Sequence, residues 1–86
     1  MEKTNITWLN STLSAIYHLG GEATLNDIYN RVAALRYEHN QSMPQSWRAI
    51  VRRTLENYSS DSESFLNKED FFKSTYGLGE GTWSIR

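Results

Sequence analysis

Cysteine is absent from the chain. No disulfide can staple this fold, and no thiolate can hold a metal. The absence says nothing about the redox compartment. Long apolar runs are missing too. Residues 1–10 are polar, with no stretch suited to a signal peptide. Nowhere does the sequence approach the roughly 18 apolar residues of a membrane span. A cytoplasmic location, away from membranes, is the expectation. Proline occurs once and charged residues make up 22%, a balance typical of globular rather than disordered chains. An excess of positive charge is also lacking, since the net charge is −1. That excludes a general, charge-driven binder of polyanions. A site-specific one remains, because what matters then is where the basic residues sit.

The 86 residues suffice for one domain and not for two. A chain this short buries roughly 60–65% of its unfolded surface, so its core must be well packed. Aromatic residues, 13% of the sequence and including Trp8, Trp47 and Trp83, supply large apolar groups for it.

Thr7 can cap a first helix, with Trp8, Leu9, Leu13, Ile16 and Tyr17 at helical spacing behind it. Gly20 and Gly21 stop it. Glu22, Ala23 and Thr24 suit a short edge strand, and Thr24 with Asp27 three positions on suits a second helix start. Leu25, Ile28, Tyr29, Val32 and Leu35 then carry a helix over about 25–39, with Arg36 and His39 near its negative end. A polar turn follows. Pro44 is acceptable in a first turn and Ser46 can cap a third helix, running over about 47–58. Residues 59–64 form a serine- and acid-rich loop. The period then changes. Residues 71–76 are rich in strand formers, residues 82–86 alternate polar and apolar, and glycines at 77, 79 and 81 make a hairpin tip between them. Three helices with a small antiparallel sheet and a C-terminal glycine-tipped hairpin predict an α+β fold of the winged helix-turn-helix type, one domain over 1–86.

The third helix carries the main functional signal. At about 100° per residue, Trp47, Ile50, Val51, Thr54, Leu55 and Tyr58 share one side. Gln45, Arg48, Ala49, Arg52, Arg53 and Glu56 share the other. Such a face suits a DNA groove. Arginine bonds guanine bidentately or clamps phosphate, and glutamine bonds adenine in the same two-pronged way. Alanine lets the backbone come close to base edges. Base readers lie near the N-terminus of such a helix. Gln45, Ser46, Arg48, Ala49 and Arg52 are therefore expected near bases, and Arg53 on phosphate. The hairpin adds Lys73, Leu78 and Thr82, with Arg86, as candidates for the flanking groove or its phosphates. Outward arginines also suit a plain solvated face, and the hairpin tip also reads as an ordinary turn.

Signals for chemistry are poor, and no cofactor is expected. His18 and His39 sit near helix ends, where positive charge is favoured, and show no metal-ligand spacing. Glu69 and Asp70 are adjacent acids, whereas a metal-dependent nuclease needs several ligands converging on one point. Residues 77–81 lack the lysine and helix of a phosphate loop. The serines have no paired base at usable spacing.

Several runs carry a family resemblance: Leu19-Gly20-Gly21-Glu22-Ala23, Asp27-Ile28-Tyr29 and Trp47-Arg48-Ala49-Ile50-Val51-Arg52-Arg53-Thr54-Leu55. Ser59-Ser60-Asp61-Ser62, Asp70-Phe71-Phe72 and Gly79-Glu80-Gly81-Thr82-Trp83-Ser84-Ile85-Arg86 extend it. Together they resemble the winged-helix domain at the N-terminus of bacterial HNH-type and other restriction-like endonucleases, over nearly the whole chain. More loosely they resemble the HARE-type helix-turn-helix domain. The resemblance implies a module that binds double-stranded DNA, joined to a separate nuclease domain in a longer protein. It further implies sensing of modified cytosine, for which Ala49 beside Arg48 and Arg52 would offer a niche for a 5-methyl group. No HNH residues are present in the sequence, so this chain is expected not to be an enzyme itself. A protein-interaction winged helix and a small standalone transcriptional regulator are the alternatives. The near-zero charge and the acidic stretch 61–70 favour the first of them.

Overall fold

The computed structural model describes residues 5–77, 79 and 81–86. The chain runs α1 (Trp8–His18), β1 (Glu22–Thr24), α2 (Leu25–Glu38), α3 (Trp47–Asn57), β2 (Phe72–Ser74) and β3 (Thr82–Ile85). The three strands form one antiparallel sheet in the order β1-β3-β2. This is the α+β class expected, with three helices and a small sheet.

The helix starts follow from local hydrogen bonding. Thr7 accepts from the Asn10 N–H at the head of α1, and Thr24 accepts from the Asp27 N–H at the head of α2. Each satisfies one of the amides a helix start leaves unpaired. The α1 end is a paired closure. Gly21 N–H donates to the Ile16 carbonyl at 2.9 Å and Gly20 N–H to Tyr17 at 3.1 Å. Gly20 has φ +97°, a conformation that costs a side-chain-bearing residue and suits glycine. The α2 end repeats the pattern with Asn40 at φ +54° in the glycine's place. Gln41 N–H there reaches the Arg36 carbonyl at 2.8 Å.

Every element contributes to the core: Ala15 and Ile16 from α1, Ala23 from β1, Ile28 and Val32 from α2, Val51 and Leu55 from α3, Phe72 from β2 and Trp83 from β3. Each fully buried aliphatic or aromatic side chain stabilises the fold by roughly 1.5–3 kcal/mol. Two threonines are buried without cost to their hydroxyls. Thr12 donates to the Trp8 carbonyl and Thr54 to the Ile50 carbonyl, both at 2.8 Å, using the helix's own acceptors.

Two expectations need correction. Tyr17 stands at helical spacing but is 73% exposed. It lies one residue, about 100°, round from buried Ile16 and meets the His18 ring edge-on at 5.8 Å. Ser46 occupies the position before α3, yet its hydroxyl makes no capping bond. Its ψ of 22° departs from the extended backbone that aims a capping side chain at the first turn. Arg36 stands in the last turn of α2, as its place in the sequence indicates, but its side chain turns into the protein. It is 3% exposed, and the three acceptors on it are neutral. Its Nη1 donates to the Ile6 carbonyl and the Ser11 hydroxyl, both at 3.0 Å, and its Nε donates to the Ser42 carbonyl at 3.1 Å. The guanidinium carbon lies 3.7 Å from the centre of the Trp8 ring. Burial pushes the Arg36 pKa below its ordinary value, but a guanidinium stays charged at any working pH.

Arg36→Ala is expected to destabilise the domain by about 2–4 kcal/mol, since it removes three charged hydrogen bonds and the packing on Trp8 and strands the buried Ser11 hydroxyl. Urea unfolding followed by tryptophan fluorescence measures this. A midpoint equal to that of the wild type contradicts the assigned role.

Candidate nucleic-acid interface

The helix that carries the candidate face is held by its apolar side. Val51, Thr54 and Leu55 are buried, while Trp47, Ile50 and Tyr58 are half-buried. Trp47 meets the Tyr29 ring of α2 edge-on at 5.8 Å between centroids, an arrangement favoured by the ring quadrupoles. With that side fixed, Gln45, Ser46, Arg48, Ala49, Arg52 and Arg53 are all exposed. Glu56 is half-buried at the far end of the same face.

Two of the three arginines are steered. The Arg48 guanidinium carbon lies 4.5 Å from the centre of the Trp47 ring, close enough for a cation–π attraction. Arg52 Nε stands 3.8 Å from Glu56 Oε1, one helical turn on. Such a pair contributes only a few tenths of a kcal/mol to an exposed helix. Its consequence is directional, since it holds the Arg52 and Glu56 tips together.

Arg52 and Glu56 line a cleft of about 230 Å³ together with Leu25, Gly79, Gly81 and Trp83. The cleft lies where α3 faces the hairpin. Gly81 is drawn to this side by the bond from Leu25 N–H to its carbonyl. The structure thus brings the C-terminal half of the α3 face against the glycines of the hairpin.

It does not bring all the hairpin candidates there. Trp83 belongs to the cleft side of the sheet. Side chains alternate between faces along a strand, so Thr82 projects to the opposite face. Lys73 pairs with Ser84, the other neighbour of Trp83, and so shares Thr82's face. Lys73 is exposed there and Thr82 is half-buried. Leu78, the remaining candidate, lies outside the described residues. Arg86 is already committed within the protein. It donates to Asp70 at 2.8 Å and to the Phe72 carbonyl at 3.0 Å, and it pairs with Asp61 at 3.1 Å. Asp61 also accepts from the Ser74 N–H at 2.9 Å. Asp70 accepts from the Ser60 N–H at 2.9 Å and the Ser60 hydroxyl at 2.6 Å. Asp61 and Asp70, at the two ends of the acidic stretch, therefore tether the loop after α3 to the end of β3.

Among the described residues no three His, Asp or Glu side chains gather as a metal site. No helix there is long and apolar enough to cross a membrane. No family model matches the chain, and comparison with curated proteins and with solved structures finds no match.

The Ser60 hydroxyl, then the Ser60 N–H, then Arg86 hold the Asp70 carboxyl below its ordinary pKa. A group whose pKa falls on folding adds stability that is present above its unfolded pKa, about 4, and is lost as pH falls through the folded value. Thermal melts from pH 7 down to pH 3 are expected to fall more steeply at the acid end for wild type than for Asp70→Asn. Superimposable pH profiles contradict the tether.

Proposed function

We propose that this domain is a winged helix that binds double-stranded DNA, with the outward face of α3 in the major groove and the hairpin at its flank. The single observation that carries the reading is the placement of Arg52, on the exposed arginine face of α3, beside the hairpin glycines Gly79 and Gly81 around one cleft. A groove-inserted helix needs a convex, donor-rich face with little bulk, and a second element beside it to meet the neighbouring backbone. Gln45, Ser46, Arg48, Ala49 and Arg52 supply the base-proximal donors and the small centre, and Arg53 supplies a phosphate contact. The lack of a side-chain cap on α3 supports this: the Trp47 N–H is held by the Pro44 carbonyl at 3.0 Å, and the first-turn N–H groups after it attract a phosphate oxygen. The net charge of −1 then makes affinity depend on these few arginines rather than on the whole surface. The hairpin contact is assigned to its glycine tip. Lys73 and Thr82 reach DNA only where the duplex extends to the sheet's other face.

That the module guides a restriction-like nuclease, and that it reads modified cytosine, are parts of the proposal that rest on sequence resemblance alone. A second reading, a protein-interaction domain, draws on the exposure of Tyr17, Tyr37 and Tyr76, none of which lies on α3. In its homodimer form it predicts a dimer in sedimentation velocity, and a strict monomer counts against it.

Fluorescence anisotropy against a labelled duplex across a salt series tests the DNA reading. Saturable binding is expected, weakening with salt at a log–log slope of roughly −2 to −3 for two to three neutralised phosphates. Arg53→Ala is expected to reduce that slope by about one. Arg48→Glu and Arg52→Glu are expected to lower affinity at least tenfold while the melting temperature holds. Folded variants that bind like the wild type, or a wild type that binds nothing at low salt, overturn the proposal.

A further inference from the structure

We infer that Arg52 and Glu56 act together as a reader of one guanine–cytosine base pair, an assignment that rests on the DNA-binding reading above. Glu56 is the anomaly that prompts it. On a face built of Arg48, Arg52 and Arg53, a carboxylate opposes every phosphate it approaches. The penalty is recovered only where the groove offers a donor. In the major groove the donors are the amino groups of cytosine and adenine.

The geometry chooses between them. Arg52 Nε and Glu56 Oε1 lie 3.8 Å apart, so a fork of donors and an acceptor are presented side by side. The guanine–cytosine pair presents the complement: two acceptors, guanine N7 and O6, and then the cytosine amino group. Guanine O6 and the cytosine amino nitrogen are hydrogen-bonded partners, about 2.9 Å apart. One amino hydrogen is used in that pairing and the second projects into the groove. Arg52 fills both guanine acceptors while Glu56 accepts that second hydrogen. At an adenine–thymine pair the same arrangement fails. Adenine offers one acceptor and then a donor, so the second N–H of Arg52 meets the adenine amino group instead of an acceptor.

The positions of the two residues support joint action. Arg52 is 62% exposed at its side chain and Glu56 35%, so both tips are open to solvent, the arginine more so. Glu56 orients the guanidinium before DNA arrives, which reduces the rotamer freedom lost on binding. Neither residue belongs to the buried core, so either can be changed while the packed side of α3 is kept.

The test is selection of duplexes from a randomised library, followed by anisotropy on the selected sequence and its single-pair variants. It is performed with wild type, Glu56→Gln and Arg52→Lys, each checked by thermal melt. Wild type is expected to favour guanine–cytosine at one position by about tenfold or more over the other pairs. Glu56→Gln, with an amide that donates as well as accepts, is expected to lose most of that preference. Arg52→Lys, which keeps the charge and loses the fork, is expected to lose it at the same position. Preferences elsewhere in the site should persist in both. A wild type that selects adenine–thymine there, or variants whose preferences match those of wild type, overturn the pair reader and leave DNA binding standing. Salt-sensitive binding with no sequence preference does the same. Absence of any binding overturns both.

Discussion

The guanidinium of Arg36 is the constraint on which the arrangement depends. One buried side chain on α2 holds the segment before α1 through Ile6, α1 itself through Ser11 and Trp8, and the loop toward α3 through Ser42. Residues 43–46 are all that separates this loop anchor from the first turn of α3. A hydrogen bond near its entrance thus joins Val51 and Leu55 beneath it in placing α3. A buried arginine answered by neutral acceptors and a ring face is costly to desolvate. It persists because carbonyls, which must find donors in any case, receive several from one group.

A second tether works from the other end. Arg86, Asp61 and Asp70 bind the loop after α3 to the last strand. β3 also lies between β1 and β2, and its Trp83 closes the core beside α3. Both ends of α3 are thus fixed to the rest of the chain. Its outward face is left to present Gln45, Arg48, Ala49, Arg52 and Arg53 on a fixed support, as the proposed recognition role requires.

Much of this was legible in the residues themselves. Thr7, Thr24 and the Gly20-Gly21 pair mark helix limits through local bonding that needs no distant partner, and the structure places those limits where they point. The periodicity of α3 separates its buried and exposed sides correctly for the same reason. What escaped has long-range causes. Arg36 reads only as a charge near a helix end, and its burial is not visible until the fold places Ile6 and Ser11, 30 and 25 residues away, against it. Arg86 reads as a candidate DNA contact rather than as the partner of Asp70 and Asp61, because 16 and 25 residues separate it from them. Lys73 reads as part of the hairpin's working edge, and only the register with Ser84 shows that it faces away from the cleft. The proximity of Glu56 to Arg52 is visible as an i,i+4 spacing. Its position against the hairpin glycines is a product of tertiary folding.

The central claim, that the outward face of α3 together with the hairpin tip meets DNA, is tested most directly by mapping backbone amide shifts while a short duplex is titrated into labelled protein. The account predicts that the largest changes fall on Gln45, Ser46, Arg48, Ala49, Arg52 and Arg53, with a second group at Gly79 and Gly81. Changes confined to α1 and the C-terminal end of α2, around Tyr17 and Tyr37, or no changes at low salt, would contradict it.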